Sequence, residues 1–231
     1  MTTALSSEKL SIKTKLFYGI GDVGNALVNS AVQFFLLIFY TDGALIPPAL
    51  VGSALLIGKI WDAVNDPLFG WFSDRFSSKR FGKRRFFMIF GAIPLGISVA
   101  LLWHVPQGLE RIGVFIWIAF TFILFDTIWT LTNVPYYSLS SELTEDYDER
   151  SSLTSFRMIL AVPAYIIGAA LTPAIVGLFA TKYTGYGFIG IAYGVIAAAA
   201  LPHAQKDHRK LDEDAIAQAV YPDKLERQLV A

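Results

Sequence analysis

Four residues in one apolar run have the types and spacing to do chemistry: Lys59, Asp62, Asn65 and Asp66. They lie inside the stretch from about Pro48 to Phe72. That is long enough to cross a bilayer, since a helix rises ~1.5 Å per residue and the hydrocarbon core is ~30 Å thick. Lys59, Asp62 and Asp66 are spaced i, i+3, i+7 and share one helical face. A charge at the membrane centre costs ~2.5–3.5 kcal/mol on insertion scales, so each needs a partner or a wet cavity. Such a face either serves a functional site or holds Lys59 and Asp62 as a buried pair that only keeps helices together. Ionisable groups inside a membrane are functional by default, so a site is expected on this face.

A later run carries a second polar face. Asp126, Thr130, Asn133 and Tyr137 fall at i, i+4, i+7 and i+11, and Pro135, which lacks a backbone donor, offers a kink beside them. On the first run Asn25, Asn29 and Gln33 recur at four-residue spacing. That stripe either hydrogen-bonds between helices or touches a solute. Arg157 stands near one end of a fifth run, where snorkelling to lipid headgroups is the alternative to a role in the site. His104 reads as an interfacial residue at the end of the third run.

The same first run contains a decoy. Gly19-Ile20-Gly21-Asp22-Val23-Gly24 matches GxGxxG, with Asp42 roughly where a ribose-binding acid would stand. A dinucleotide site needs a strand before the glycines and an amphipathic helix after them. Here an uncharged apolar run follows, and the glycines read instead as close-packing positions between helices.

The elements that position these faces are six apolar spans: about Leu16–Tyr40, Pro48–Phe72, Phe86–Val105, Ile112–Ser140, Phe156–Ala180 and Tyr186–Leu201, with Pro202 stopping the last. Gly190 and Gly194, one turn apart, are expected to let the sixth span pack closely. The expected fold is all-α and integral to the membrane. Residues 1–15 form an N-terminal segment, 16–202 a six-helix transmembrane domain, and 203–231 a polar tail. Lys9, Lys13, Lys15, the Arg75–Arg85 cluster, Arg150, Arg157 and Lys206–Lys210 then fall on one side, which the positive-inside rule makes cytoplasmic, with both termini. The loop from Glu142 to Arg150 is acidic but weighs little in that rule. Composition agrees: 54% of residues are hydrophobic and 16% charged, well below the quarter usual in soluble domains. The formal net charge of +0 gives no basis for a nucleic-acid partner. With no cysteine, thiolate metal sites and thiol catalysis are excluded.

Several motifs together resemble one family. Tyr18-Gly19-Ile20-Gly21-Asp22, Lys59 through Trp71 with its Trp-Asp-Ala-Val-Asn-Asp-Pro core, Gly82-Lys83-Arg84-Arg85, Asn133-Val134-Pro135-Tyr136-Tyr137-Ser138-Leu139, and Glu149-Arg150 with Ser155-Phe156-Arg157 are similar to the glycoside–pentoside–hexuronide:cation symporters of the major facilitator superfamily. Gly70-x-x-x-Asp74-Arg75 before a basic cluster resembles the superfamily's loop between spans two and three. The resemblance covers about Leu16 to Gly194. It implies a fold corresponding to the N-terminal half of a twelve-helix transporter. It also implies a secondary active transporter rather than an enzyme, with no cofactor and with sodium or a proton as coupling ion.

Carried over residue by residue, the resemblance implies a cation site at Asp62, Asn65, Asp66 and Thr130. It implies solute contacts at Asn25, Ala26, Asn29, Asn133, Tyr137 and Arg157, and structural or gating roles for Lys59, Asp74, Arg75 and Arg150. Galactoside-transporting relatives have acids at the positions of Ala26 and Asn133, a lysine at Asn25 and a tryptophan at Tyr137, so the resemblance does not extend to galactoside selectivity, and the expected solute is a sugar, a glycoside or a related organic molecule. Family members continue into six further spans where this chain turns polar. A truncated product, a fragment or a frame shifted near Ala200 is expected ahead of a half-transporter that pairs with a second half or with itself. The competing expectation is a non-transporting membrane remnant or assembly partner.

Overall fold

Ser11 opens the first helix: its backbone is extended and its hydroxyl accepts from the Thr14 amide at 3.1 Å. In the computed structural model, which describes residues 10–75, 85–144 and 146–203, α1 (Ile12–Ile38) runs into a π-helical turn, Phe39–Gly43. Five more helices follow: α2 (Pro48–Arg75), α3 (Arg85–Leu102), α4 (Arg111–Leu143), α5 (Tyr147–Val176) and α6 (Lys182–His203). Each expected span is a helix. The N-terminal residues through Lys9, the basic segment 76–84, Glu145 and the tail 204–231 with Lys206–Lys210 lie outside the described residues.

Two details depart from expectation. α5 begins at Tyr147 rather than near Phe156, because the Asp146 carboxylate accepts from the amides of Asp148 at 2.8 Å and Glu149 at 3.1 Å. Acids in a first turn also complement the helix dipole, so much of the acidic "loop" is the start of a helix. Pro202 lies inside α6 rather than stopping it, while α4 runs through Pro135 to Leu143, past the expected Ser140. A proline removes one donor, and a helix packed on both sides tolerates that loss.

Ile12–Gly43, Arg111–Ser138, Tyr147–Val176 and Lys182–Pro202 are long and apolar enough to cross a membrane, and Phe86–Leu102 is a shorter apolar helix. α2 is absent from that set because Lys59, Asp62, Asn65 and Asp66 interrupt its apolar sequence. Exposed apolar residues recur a turn apart, as at Ile112, Ile116 and Phe120 on α4 and Phe188, Ile191 and Val195 on α6. Such faces suit lipid, where every backbone group must be satisfied inside its own helix.

α1 packs between α5 and α6, α6 continues onto α3, α3 onto α4, and α4 onto α2. The largest buried cluster takes Leu36, Phe39 and Tyr40 from the first segment, Leu95 and Leu102 from α3, and Ile118 from α4. Trp103 and Tyr186 close it, stacked at 5.5 Å. Without a hydrophobic drive between helices in lipid, close van der Waals approach holds such a bundle, and the glycines supply it. A Cβ on Gly194 would stand 2.6 Å from the Gly96 carbonyl oxygen, and one on Gly24 2.7 Å from Ala197 Cα. The GxGxxG decoy is thus a helix-packing seam.

The two ends of the bundle are pinned by charge. At one, Lys15 pairs with Glu149 at 2.8 Å and donates to Ser152 at 2.8 Å, while Glu149 also accepts from the Leu10 amide at 3.3 Å. Arg150 donates to the Thr144 carbonyl at 2.7 Å, holding the α4–α5 connection. At the other, Asp42 pairs with Lys182 at 3.1 Å, and the Tyr183 hydroxyl lies 3.2 Å from His104 Nδ1.

Candidate functional site

Two polar clusters sit between helices. The first joins α2 to α4, which approach closely because Gly58 has no side chain: a Cβ there would lie 2.1 Å from the Phe122 ring. Asn65 is fully buried at 0% exposure. Its amide nitrogen donates to the Asp126 carboxylate at 3.2 Å and to the Asp126 carbonyl at 3.3 Å, and its buried oxygen has no hydrogen-bond partner. One turn on, the Thr130 hydroxyl donates to Asp66 at 2.8 Å. Lys59 reaches Asp62 at 3.2 Å and lies 5.7 Å from the Phe122 ring centre. Trp61 donates its ring N–H to Thr127 at 2.9 Å, fixing the register of the two helices. Asp126 lies close enough to Asp62 for the two carboxyls to interact directly.

The four residues expected to form a cation site thus lie along α2 and α4 in three separate contacts, two of them across the interface. Asp66 and Thr130 touch, Asn65 is taken by Asp126, and Asp62 is taken by Lys59. Asp126 was legible as a member of the α4 face, but no role was attached to it. Chemically the interface offers carboxylate, hydroxyl and amide oxygens against one ammonium. Among the described residues no group of three or more His, Asp or Glu could hold a metal ion, so the donor set is a mixed one.

The second cluster joins α1, α4 and α5. Asn25 and Asn133, both buried, are linked by a hydrogen bond from the Asn25 amide to the Asn133 side-chain oxygen. Asn133 is itself anchored to the Trp129 carbonyl at 3.0 Å. Below them Tyr18 and Tyr136 stack at 5.0 Å, and Tyr136 donates to the Tyr18 carbonyl at 2.6 Å. Arg157 does not snorkel outward. Its guanidinium lies 4.8 Å from the Tyr137 ring centre and 3.6 Å from Asp22, with its side chain 19% exposed. Tyr137 donates to the other Asp22 oxygen at 3.4 Å.

A cavity of about 200 Å³ opens on this cluster, lined by Asp22, Asn25, Ala26, Asn29, Tyr137 and Tyr165 among others. The Asn25, Asn29 and Gln33 stripe divides: Asn25 is buried in the α1–α4 contact, Asn29 faces the cavity, and Gln33 accepts from Tyr165. Of the expected solute contacts, Asn133 and Arg157 stand behind the cavity wall. Asp22 is the residue missed. It was absorbed into the glycine motif, although a carboxylate inside an apolar span was itself a signal.

The residues assigned to gating lie apart from both clusters, except Lys59. Arg75 stacks on Trp71 at 3.9 Å, Arg150 caps the α4–α5 turn, and the side chain of Asp74 lies outside the described residues.

Apolar helices with polar clusters at their interfaces define an all-α, multi-pass membrane protein. A family model described as MFS/sugar transport protein matches residues 17–221, and the chain belongs to that family. It is similar to an uncharacterized symporter of Synechocystis, 39% identical over 87% of this chain and 38% of that protein. It also resembles YagG of Escherichia coli, named for glycoside/cation symport, at 33% identity over 79% of this chain and 39% of that protein. The sodium-dependent lysophosphatidylcholine symporter 1 of Xenopus tropicalis is 34% identical over 73% of this chain and 32% of its own length. The chain thus spans less than half the length of the curated relatives it matches.

Proposed function

We propose that this chain forms the ion- and solute-binding six-helix unit of a cation-coupled symporter. In this reading Asp62, Asn65, Asp66 and Thr130 hold sodium or a proton. Asn25, Ala26, Asn29, Asn133, Tyr137 and Arg157 shape the solute site, for a sugar, a glycoside or a related organic solute. Lys59, Asp74, Arg75 and Arg150 serve structure or gating. The partner is a second six-helix unit, or a second copy of the chain, that closes over both clusters and lets them alternate between the two sides. Residues 16–202 form the membrane domain of a cell-membrane protein, with 1–15 and 203–231 cytoplasmic. No cofactor and no nucleic acid take part.

The observation that carries this reading is the Asp66–Thr130 contact beside the buried, unpartnered oxygen of Asn65. Oxygen donors of these kinds suit a hard cation, and an acceptor left without a donor inside a helix interface has a ligand to find. The test uses the purified chain in lipid nanodiscs. Sodium, lithium or a pH step is expected to raise its melting temperature and change its tryptophan emission, and Asp66→Asn is expected to abolish that response. Indifference of the unaltered chain to every monovalent cation and to pH would sink the proposal. Orientation is tested separately. Single cysteines at Gly43, Gly108 and Thr184 are expected to react with an impermeant thiol reagent from outside intact cells, and one at Thr144 is not.

A further inference from the structure

We infer that Asp22 is the specificity-determining acid of the solute cavity, and that with Arg157 behind it the site takes neutral polyhydroxylated solutes and rejects carboxylated ones. This rests on the transport reading above and deepens it.

Of the residues that line the cavity, Asp22 alone carries a formal charge; the rest are amides, alkyl groups and aromatic rings. Its side chain is 12% exposed, and Arg157, Tyr137 and the Asn25 amide, the polar side chains that face it, leave its oxygens room for further donors. One lies 3.6 Å from Arg157 Nε, too far for a hydrogen bond, and Arg157 Nε is correspondingly a buried donor with no acceptor. The other accepts from Tyr137 at 3.4 Å, at the weak end of the range. An ionised carboxylate has room for about four hydrogen bonds. Asn25, next along the wall, has a buried side-chain oxygen with no partner at all. The cavity therefore presents spare acceptors, and the groups that complement spare acceptors are hydroxyl donors.

The order of the charges sets the sign of the selection. Arg157 stacks on Tyr137 and is not part of the lining, so a solute in the cavity touches the carboxylate and not the guanidinium. A hydroxyl donates to Asp22 without electrostatic penalty. A solute carboxylate faces a like charge at short range in a partly desolvated site, where such contacts are disfavoured, while the guanidinium stands behind the Tyr137 ring. Trp129 and Tyr165 add ring surface of the kind against which the apolar face of a pyranose packs.

The experiment measures binding of 4-nitrophenyl glucoside, galactoside and xyloside against 4-nitrophenyl glucuronide, by displacement and melting temperature in nanodiscs with sodium present. The unaltered chain is expected to bind at least one neutral glycoside tenfold or more better than the glucuronide. Asp22→Asn is expected to lower neutral-glycoside affinity tenfold or more and to narrow or reverse the preference, while Asp22→Glu keeps its direction. A glucuronide preference in the unaltered chain overturns the inference without any variant. So does a ratio unchanged in Asp22→Asn, provided its sodium response shows that it is folded. If no glycoside binds, the inference also fails, and the sodium response in the same sample then shows whether the cation-coupled reading stands without it.

Discussion

The α2–α4 cluster and the α1–α4–α5 cluster are built from similar residue types, yet their charges are arranged in opposite ways. The first gathers Asp62, Asp66 and Asp126 against the single ammonium of Lys59, which is 63% exposed and reaches only Asp62. The second sets one carboxylate against one guanidinium, with the guanidinium on the Tyr137 ring and the Asn25 amide bonded to Asn133. An excess of acid around unfilled oxygens leaves room for a cation. A carboxylate on a cavity wall with a guanidinium behind it leaves room for a neutral solute. Both clusters draw residues from α4, Asp126 and Thr130 for the first, Asn133 and Tyr137 for the second.

The comparison is broken most severely by separating α2 from α4. Gly58→Val is expected to drive a branched side chain into the Phe122 ring, where even a Cβ would stand 2.1 Å away. Overpacking of this kind costs ~1–3 kcal/mol and displaces backbone. The expected outcome is loss of the cation-dependent melting shift, because Thr130 and Asp126 no longer reach Asp66 and Asn65, with neutral-glycoside binding retained. Loss of both responses together in a folded variant would show that the clusters are one site.

How much of this was legible follows from where each partner lies in the chain. The α2 face could be read because its residues sit on one helix, and helical spacing alone groups them. Its partner Thr130 was reached through the family resemblance, and the structure brings it to Asp66 at 2.8 Å. Asp22 could not be read in the same way. Arg157 on another helix gives its carboxylate a role, and no periodicity links the two. The same limit applies to Asn25 and Gln33. Their spacing made a stripe, but α4 claims Asn25 and α5 supplies the Tyr165 partner of Gln33. The start of α5 was misplaced for a local reason: acids were counted as loop residues, when Asp146 is a cap and Asp148 and Glu149 form a first turn.

A smaller effect is expected from opening the amide pair. Asn133→Ala removes the acceptor for the Asn25 amide, whose own oxygen is already without a partner. A buried amide stranded in this way costs ~1–3 kcal/mol, so the melting temperature in nanodiscs should fall by several degrees. Replacing both residues, Asn25→Ala with Asn133→Ala, should recover part of that loss, since no unpaired group then remains. A double variant less stable than the sum of the single ones would mean that the pair is not the unit that holds α1 against α4.

The smallest change expected is also the one whose sign discriminates best. Lys59 is the only cation in contact with the acid-rich cluster among the described residues, and it neutralises Asp62 at 3.2 Å. If that pair exists to hold helices together, Lys59→Ala leaves a lone carboxylate and weakens the fold, and adding Asp62→Ala repairs the damage. The geometry argues otherwise. Lys59 and Asp62 lie on the same helix, three residues apart, so their pairing joins no two elements. A mostly exposed ammonium of this kind contributes at most ~1 kcal/mol as a salt bridge. Its larger effect is electrostatic: a fixed positive charge beside Asp62 and Asp126 opposes entry of a second cation. Removing it is therefore expected to tighten sodium binding about three- to tenfold, read as a lower half-saturating concentration for the melting shift, with little change in the melting temperature without sodium. Lys59→Arg should leave the half-saturating concentration near its original value, because the charge is kept. Weaker sodium binding in Lys59→Ala, restored by Asp62→Ala in the same chain, would assign the pair to structure and move the cation site wholly onto Asp66, Thr130 and Asn65.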